Sequence, residues 1–342
     1  MHNKFSISIC IPNYERLSQL LELIRSISLA SEKLNGDYEI IVSDNFSPNQ
    51  DQIKKEIYNL NNKINIPIVL YLNSENLGYD ANLRNLIGKA KKKYIVLFGN
   101  DDLMPSNFFV DVNYLLNKFN NPKAIIRSYA TFKKNINNIE SKFIYTPNDI
   151  LLEPCPKSLE FIFKRTVVIS GLVIEKNLAQ KFTENKYDGL LLFQVYLISK
   201  IALLGNICIT NKILSYYRLD GVPQFGKSKL EKNHDYAARP MKSSLSFIKG
   251  LLRIAKDVSP NIYTYKRILC DISKYSYPIL TIQNNLKFRK RIEYCRLLSE
   301  MGLSCTIYFY LYALIYVLNL TSLFDFFIQR LKKLLGYTPK LL

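Results

Sequence analysis

Lys93-Tyr-Ile-Val-Leu-Phe-Gly-Asn-Asp-Asp102 is the stretch that decides how this chain folds. Residues 94–98 form a continuous apolar, β-rich run, and Gly99 ends it. An apolar run this short, bounded by Gly, predicts a strand buried on both faces. Asn100, Asp101 and Asp102 follow at once, which sets an amide and two carboxylates at the exit of a central strand. In open α/β sheets, ligands bind outside the carboxyl ends of the strands. Adjacent carboxylates in one turn repel each other unless a cation or hydrogen-bond donors hold them. Hard oxygen donors of this kind suit Mg²⁺ or Mn²⁺, usually with a phosphate as co-ligand. The same residues also suit a plain Asp-rich turn that caps the next helix, with Pro105 near its first turn.

Toward the N-terminus the same grammar repeats. Residues 5–11 predict a first buried strand, broken by Pro12-Asn-Tyr-Glu-Arg16, and a helical pattern follows with Leu17, Leu20, Leu21, Ile24 and Ile27 on one side. Residues 39–43 predict a second strand that exits into Asp44-Asn-Phe-Ser-Pro48, and 52–60 a helix. Residues 66–72 predict a third strand with the exit loop Asn73-Ser-Glu-Asn-Leu-Gly78, and 80–90 a helix. Beyond the acidic turn, a helix is expected over about 107–119. Strands and helices that alternate with short connections mean βαβ units and a mostly parallel sheet. Each strand exit is polar: Asn13 and Glu15, then Asp44 and Asn45, then Asn76, then Asn100 to Asp102. In one parallel sheet these four turns converge on one edge. No G-x-G-x-x-G follows the first strand and no G-x-x-x-x-G-K-[ST] occurs, which disfavours a dinucleotide site and a P-loop.

Further on, residues 124–127 predict another strand, and 129–156 are polar and Asn-rich, expected as a flexible loop over the site. Residues 166–175 are β-rich with a break at Ser170-Gly171, and 176–182 read as helical. Asp188 precedes a long apolar helix expected over 190–204. Residues 207–209 and 213–217 predict a short strand or strand pair that exits at Arg218. After about residue 222 the pattern becomes helical, basic and amphipathic over 227–257 and 263–298, so the expected division is 1–221 and 222–342. Residues 301–324 carry no charge, which passes the length test for a spanning helix. Tyr308, Tyr310, Tyr312 and Tyr316 crowd it, however, and tyrosine prefers an interface. A buried helical hairpin, a helix lying in the membrane plane and a true span all remain open. Arg330, Lys332, Lys333 and Lys340 would suit anionic lipid on a cytoplasmic face.

Composition narrows the partners. With 342 residues, 48% of them hydrophobic, the chain can bury a sizeable core, and the 22% charged residues form no long like-charge block, which argues against wholesale disorder. A net charge of +19 points to nucleic acid, an anionic membrane surface or a phosphorylated substrate. The 47 Lys and Arg are spread along the chain, which argues against a nucleic-acid groove. Six cysteines with no C-x-x-C pair, and only two histidines, argue against a zinc site or a disulfide framework and fit a reducing cytosol. The first residues run straight into a strand with no apolar signal segment, so export is not expected.

Taken together, these motifs resemble family 2 glycosyltransferases. Ile7-Ser-Ile-Cys-Ile-Pro-Asn-Tyr-Glu-Arg16 is similar to their opening strand, Ile40-Ile-Val-Ser-Asp-Asn-Phe-Ser47 to their V-x-D-N-x-S motif, and Asn76-Leu-Gly78 with Asn82 to their N-x-G loop and helix. Phe98-Gly-Asn-Asp-Asp-Leu103 is similar to their D-x-D turn. The S-D-N and x-D-D-L forms look most like the abequosyltransferase-like branch, whose members decorate bacterial surface polysaccharides. Order and spacing agree over residues 5–105; the likeness is looser from there to about 218.

The resemblance implies the GT-A fold with a helical region after it, a nucleotide-sugar donor, a divalent cation, and a saccharide or lipid-linked acceptor. It implies that Pro12, Asn13 and Glu15 line the nucleotide pocket, that Asp44 takes the nucleobase edge, and that Asn76 and Asn82 border the nucleoside. Asp101 would face the ribose or sugar, and Asp102 would ligate the metal. Asn100 replaces the first Asp of the usual triplet, and its amide oxygen can still accept or coordinate. The chain departs from the family at the catalytic base, where the expected Asp falls on Gln194. Asp188 is the nearest carboxylate, a candidate base or equally a helix N-cap. Arg218 is a candidate to hold the diphosphate or to form a structural ion pair. A non-catalytic nucleotide-sugar-binding module is the alternative function. A sugar-1-phosphate nucleotidylyltransferase would need a Gly-rich basic loop, which Pro12 to Arg16 is not.

Overall fold

The computed structural model describes residues 5–221, 224–234 and 240–334, with the backbone alone at 329 and 332–334. The predicted opening residues 1–4, part of the predicted helix over 227–257, the side chains of Lys332 and Lys333, and Lys340 lie outside the described residues.

The elements follow in order as β1 (Ser6–Asn13), α1 (Leu17–Ser31), β2 (Asp37–Asp44), α2 (Gln50–Asn61), β3 (Ile68–Leu72), α3 (Tyr79–Lys89), β4 (Tyr94–Leu97) and α4 (Phe108–Lys118). Then come β5 (Ala124–Lys133), β6 (Asn135–Phe143), β7 (Ile150–Leu152), α5 (Pro156–Ile162), β8 (Leu172–Glu175), α6 (Lys176–Ala179), α7 (Phe193–Ala202) and β9 (Ile207–Arg218). Helices α8 (Met241–Val258), α9 (Ile262–Lys274), α10 (Tyr277–Thr281), α11 (Phe288–Glu300), α12 (Ile307–Val317) and α13 (Thr321–Leu334) complete the chain.

One sheet runs in the order β3-β2-β1-β4-β8-β5-β9-β7, with β6 paired to β5. Strands β1 to β4 are mutually parallel, and β8 joins antiparallel to both β4 and β5. Side chains alternate across the sheet with a period of two. Ile7, Ile9, Ile11, Ile40, Val42, Val96 and Phe98 face a core built with α1, α2 and α4. Cys10, Ile41, Ile95 and Leu97 face the other core, with α3, α5 and α7. Ile248, Leu251, Leu252, Ile254 and Ala255 of α8, Leu298 of α11 and Phe309 of α12 belong to that same core, so the helical region is packed on the sheet rather than tethered to it. Strand order reverses at β1: the chain moves away through β2 and β3 and returns to the other side of β1 as β4. A crevice therefore opens at the carboxyl ends of β1 and β4, where Asn13 and the 100–102 turn stand.

Several expectations need correction. Pro12 does not break β1; Pro12 and Asn13 still pair with Ser43 and Asp44, and the ladder continues past the ring through the Asn45 amide to the Asn13 carbonyl (2.8 Å). Residues 129–156 are not a flexible loop: β5 continues to Lys133, turns at Lys134 (φ 60°) and returns as β6, with β7 beyond. Strand β6 is Asn-rich because nearly all of it faces solvent, which hides the apolar alternation a strand is read from. Helix α7 starts at Phe193, three residues later than expected, and β9 is one strand through 207–218. The uncharged stretch 301–324 is broken between α12 and α13, where Asn319 takes a left-handed φ of 60°. Among the described residues no helix is long and apolar enough to cross a membrane, which overturns the spanning reading. Nor is the hairpin buried: Phe309 and Tyr316 are, but Leu311 and Leu314 are 49% and 57% exposed.

Candidate functional site

The four strand exits meet in a cleft of about 500 Å³. Its first wall is the β1 turn. Glu15 and Arg16 both hold left-handed backbone (φ 56° and 48°), a conformation that costs a non-glycine residue about 1–3 kcal/mol. The bend swings Arg16 back over the cleft, where its Nη1 lies 2.5 Å from Asp101 Oδ2 and 3.4 Å from Asn100 Oδ1. The Glu15 amide donates to Ser47 Oγ at 2.6 Å.

A chain of side-chain hydrogen bonds crosses the strand ends. Asn13 Nδ2 donates to Asp44 Oδ1 (2.7 Å), and Asn100 Nδ2 donates to Asn13 Oδ1 (2.7 Å). Asp44 is fully buried and also accepts from the Ser47 amide, the Ser47 hydroxyl and Gln50 Nε2. Four donors fill its four acceptor sites. Asn45 and Asn76 bond at 2.8 Å, Asn76 accepts the Gly78 amide, and Asn82 is held by Ser43 and Asn73. Asparagine suits this frame because each amide offers a donor and an acceptor, so partners can be satisfied without burying charge.

The acidic pair divides the work. Asp102 is 2% exposed; it accepts the Ser170 hydroxyl on one oxygen and the Arg218 amide (2.9 Å) on the other. Burial pushes its carboxyl up to about 7, and the charge of Asp101 adds to that; the two donors and Arg127 pull the other way. Ser170 also accepts the Gly99 amide at 2.9 Å. The loop that carries it is pinned by the fully buried Arg127, whose guanidinium donates to the carbonyls of Arg165, Val168 and Ser170. Asp101 is more open, and a Cβ at Gly221 would stand 2.7 Å from its Oδ2, so a larger residue there would push the carboxylate aside. Each Asp102 oxygen keeps a lone pair beyond its one hydrogen bond. No group of three His, Cys, Asp or Glu able to hold a metal occurs among the described residues. One or two carboxylates plus phosphate oxygens is nonetheless the usual Mg²⁺ arrangement, and the oxygen donors of Asp101, Asp102 and Asn100 fit it.

The facing wall comes from α3, α7 and the segment before α8. Asp80 of α3 is fully buried and accepts the amides of Leu191, Leu192 and Phe193 (2.7–2.9 Å), so it caps α7 from outside. Gln194 Nε2 donates to the Val167 carbonyl (2.7 Å), and the Tyr79 hydroxyl donates to Gln194 Oε1 (3.2 Å). Glu231 accepts the amides of Tyr79 (2.5 Å) and Gly226 (3.1 Å), which closes 224–231 across the opening. Burial pushes the Glu231 carboxyl up against those two donors.

Of the residues expected at the site, Pro12, Asn13, Asn76, Asn82, Asn100, Asp101, Asp102 and Arg218 line the cleft. Glu15, Asp44 and Asp188 do not. Asp188 is not the cap of α7, which Asp80 provides; it is held by both terminal nitrogens of Arg84. The Arg218 guanidinium donates to the Asp101 carbonyl (2.8 Å) and pairs with Glu22 (2.5 Å). Arg16, Tyr79, Ser170, Gln194 and Glu231 also line the cleft. Motif spacing points to Gln194; Ser170 and Glu231 come from distant segments and have no local signal.

The parallel strands β1 to β4 thus end in an asparagine-lined cleft beside an acidic turn. Residues 8–166, just under half of the chain, match the family model described as glycosyl transferase family 2. Over 98 residues the chain is 40% identical to the abequosyltransferase RfbV of Salmonella typhimurium; that stretch is 29% of this chain and 28% of that protein. The chain thus spans under a third of the curated relative it matches. The solved structure of S. aureus TarS 1-349 in complex with UDP-GlcNAc is similar over 86% of this chain and 80% of that one, at 12% identity and a TM-score of 0.59. A mannosyltransferase from Pyrobaculum calidifontis, in complex with GDP-Man and Mn²⁺, is similar over 94% and 88%, at 12% identity and a TM-score of 0.50. At that identity the two structures establish the fold, a GT-A sheet followed by helices.

Proposed function

We propose that this chain is a glycosyltransferase that moves a sugar from a nucleoside-diphosphate donor to a saccharide or lipid-linked oligosaccharide. The setting would be bacterial surface polysaccharide synthesis, lipopolysaccharide or capsule, on the cytoplasmic side of the membrane. The observation that carries this reading is the meeting of Asn13, Asn76, Asn82 and the Asn100-Asp101-Asp102 turn in one cleft. The names of the relatives support it: an abequosyltransferase, and solved complexes with UDP-GlcNAc and GDP-Man.

A divalent cation, Mg²⁺ or Mn²⁺, held at Asp102 with Asp101 and Asn100 would neutralise charge on the departing diphosphate. The chain's own residues do the rest. The asparagine frame fixes the nucleoside, and Arg16 holds Asp101 at the cleft surface, where a carboxylate favours positive charge growing on the sugar carbon. A single displacement inverts that carbon and needs a base for the acceptor hydroxyl. Asp101 and Glu231 are the carboxylates of the cleft wall besides Asp102, whereas Asp188 is engaged with Arg84 outside it. The alternative, a module that binds nucleotide sugars without turnover, draws on Gln194, since glutamine cannot take a proton. Screening nucleotide sugars with Mn²⁺ separates the two: transfer or hydrolysis of any donor supports the enzyme, and tight binding without release of nucleoside diphosphate supports the module.

A further inference from the structure

A second hollow lies away from the donor cleft, between α5, α9 and the start of α12. Lys157, Arg165, Lys266, Arg267 and Lys274 line it, against two carboxylates, Glu160 and Asp271. Glu160 is paired with Arg267 (3.9 Å), and Asp271 with Lys164 (3.1 Å) and Arg165 (3.8 Å). Among the described residues no ion pair to Lys157, Lys266 or Lys274 is present, and all three side chains are exposed. Such a set attracts an anion. The same hollow is bordered by Thr306 and Tyr308, and Lys274 Nζ stands 5.7 Å from the Tyr308 ring.

That contact joins the hollow to an apolar surface. On α12, Ile307, Leu311, Leu314 and Leu318 recur at the spacing of one helical face and are 49% to 76% exposed. Leu323 and Phe327 of α13 extend the surface at 53% and 60%. The opposite side of α12 is fastened to the body: Phe309 and Tyr316 are buried, and Arg291 donates to the Tyr316 carbonyl at 2.8 Å. The exposed face is therefore held in place rather than frayed. An uncharged apolar face bordered by tyrosines and lysines has the chemistry of a bilayer interface, where apolar side chains enter the acyl boundary and lysines meet lipid phosphates.

We infer that the outer faces of α12 and α13, together with the Lys157–Lys266–Lys274 hollow, form one docking surface for an anionic phospholipid membrane. The surface does not depend on the donor reading, and its residues are absent from the donor cleft, so the two stand or fall separately.

The test is co-sedimentation of the full chain with vesicles of phosphatidylcholine alone or with phosphatidylglycerol added, alongside two double variants of exposed residues. The wild type is expected to pellet with the phosphatidylglycerol vesicles and to stay in solution with neutral ones. Lys266→Glu with Lys274→Glu should weaken binding by at least about 25-fold, about fivefold for each lysine removed from the surface. Leu311→Ser with Leu314→Ser should leave binding that high salt releases. Both should retain the wild-type thermal midpoint. Failure of the wild type to bind the anionic vesicles, or binding that neither variant weakens, would overturn the inference. So would a dimer in sedimentation velocity that the leucine variant dissociates, because a second copy would then be what covers the face.

Discussion

Ser170 holds the most consequential small contact in the cleft, since its one hydroxyl donates to Asp102 and accepts from Gly99. It fixes the rotamer of the carboxylate that would meet a cation. Ser170→Ala is expected to raise the Mn²⁺ concentration needed for half-maximal thermal stabilisation by about tenfold, the usual loss for a group that orients a ligand. Asp188 makes the contrasting case. Its two oxygens are spent on Arg84, so Asp188→Asn should keep turnover while lowering stability by about 1–3 kcal/mol, measured by urea unfolding. Loss of turnover without loss of stability would return Asp188 to the chemistry. Sequence alone could not separate these roles. A carboxylate just before an apolar run looks the same whether it caps the helix, serves as a base or meets an arginine 104 positions away.

Helix α7 shows how a distant residue can set an element. Its first amides are capped by Asp80, from 111 positions earlier. Asp80→Ala is expected to cost about 2 kcal/mol and to loosen the Gln194 side of the cleft. Burial pushes the Asp80 carboxyl up to about 7. Above about pH 4 the unfolded chain has released a proton that the folded chain still binds, so stability should fall as pH rises from about 4 to about 7 and level off beyond. Asp80→Asn should flatten that descent; a slope identical to wild type would contradict it. Strands β1, β2 and β4 and their polar exits were legible because buried parallel strands announce themselves as apolar runs that end in turn residues. Strand β6 was not, since Asn135 to Phe143 faces water, whereas the polar Asn319, Thr321 and Ser322 already weaken the end of the uncharged run where Asn319 turns left-handed.

At the scale of the molecule, the sheet and the helical region share a core that runs from Leu97 and Ile174 to Leu298, Phe309 and Tyr316. A chain ended near residue 300 loses the last two rings, and removing one large buried aromatic costs about 3–5 kcal/mol. Its thermal midpoint should fall sharply; a midpoint equal to that of the full chain would show that α12 is not part of the folding unit. The segment 224–231 is held beside the cleft by Glu231, which accepts the amides of Tyr79 and Gly226. What that cleft holds is the central claim, and calorimetric titration with a panel of nucleoside diphosphates, with and without Mn²⁺, tests it most directly. The account predicts that one of them binds with Mn²⁺ and not without it, and that Asp102→Ala weakens this binding by about 100-fold or more. Equal binding with and without Mn²⁺, or undiminished binding to Asp102→Ala, would contradict it.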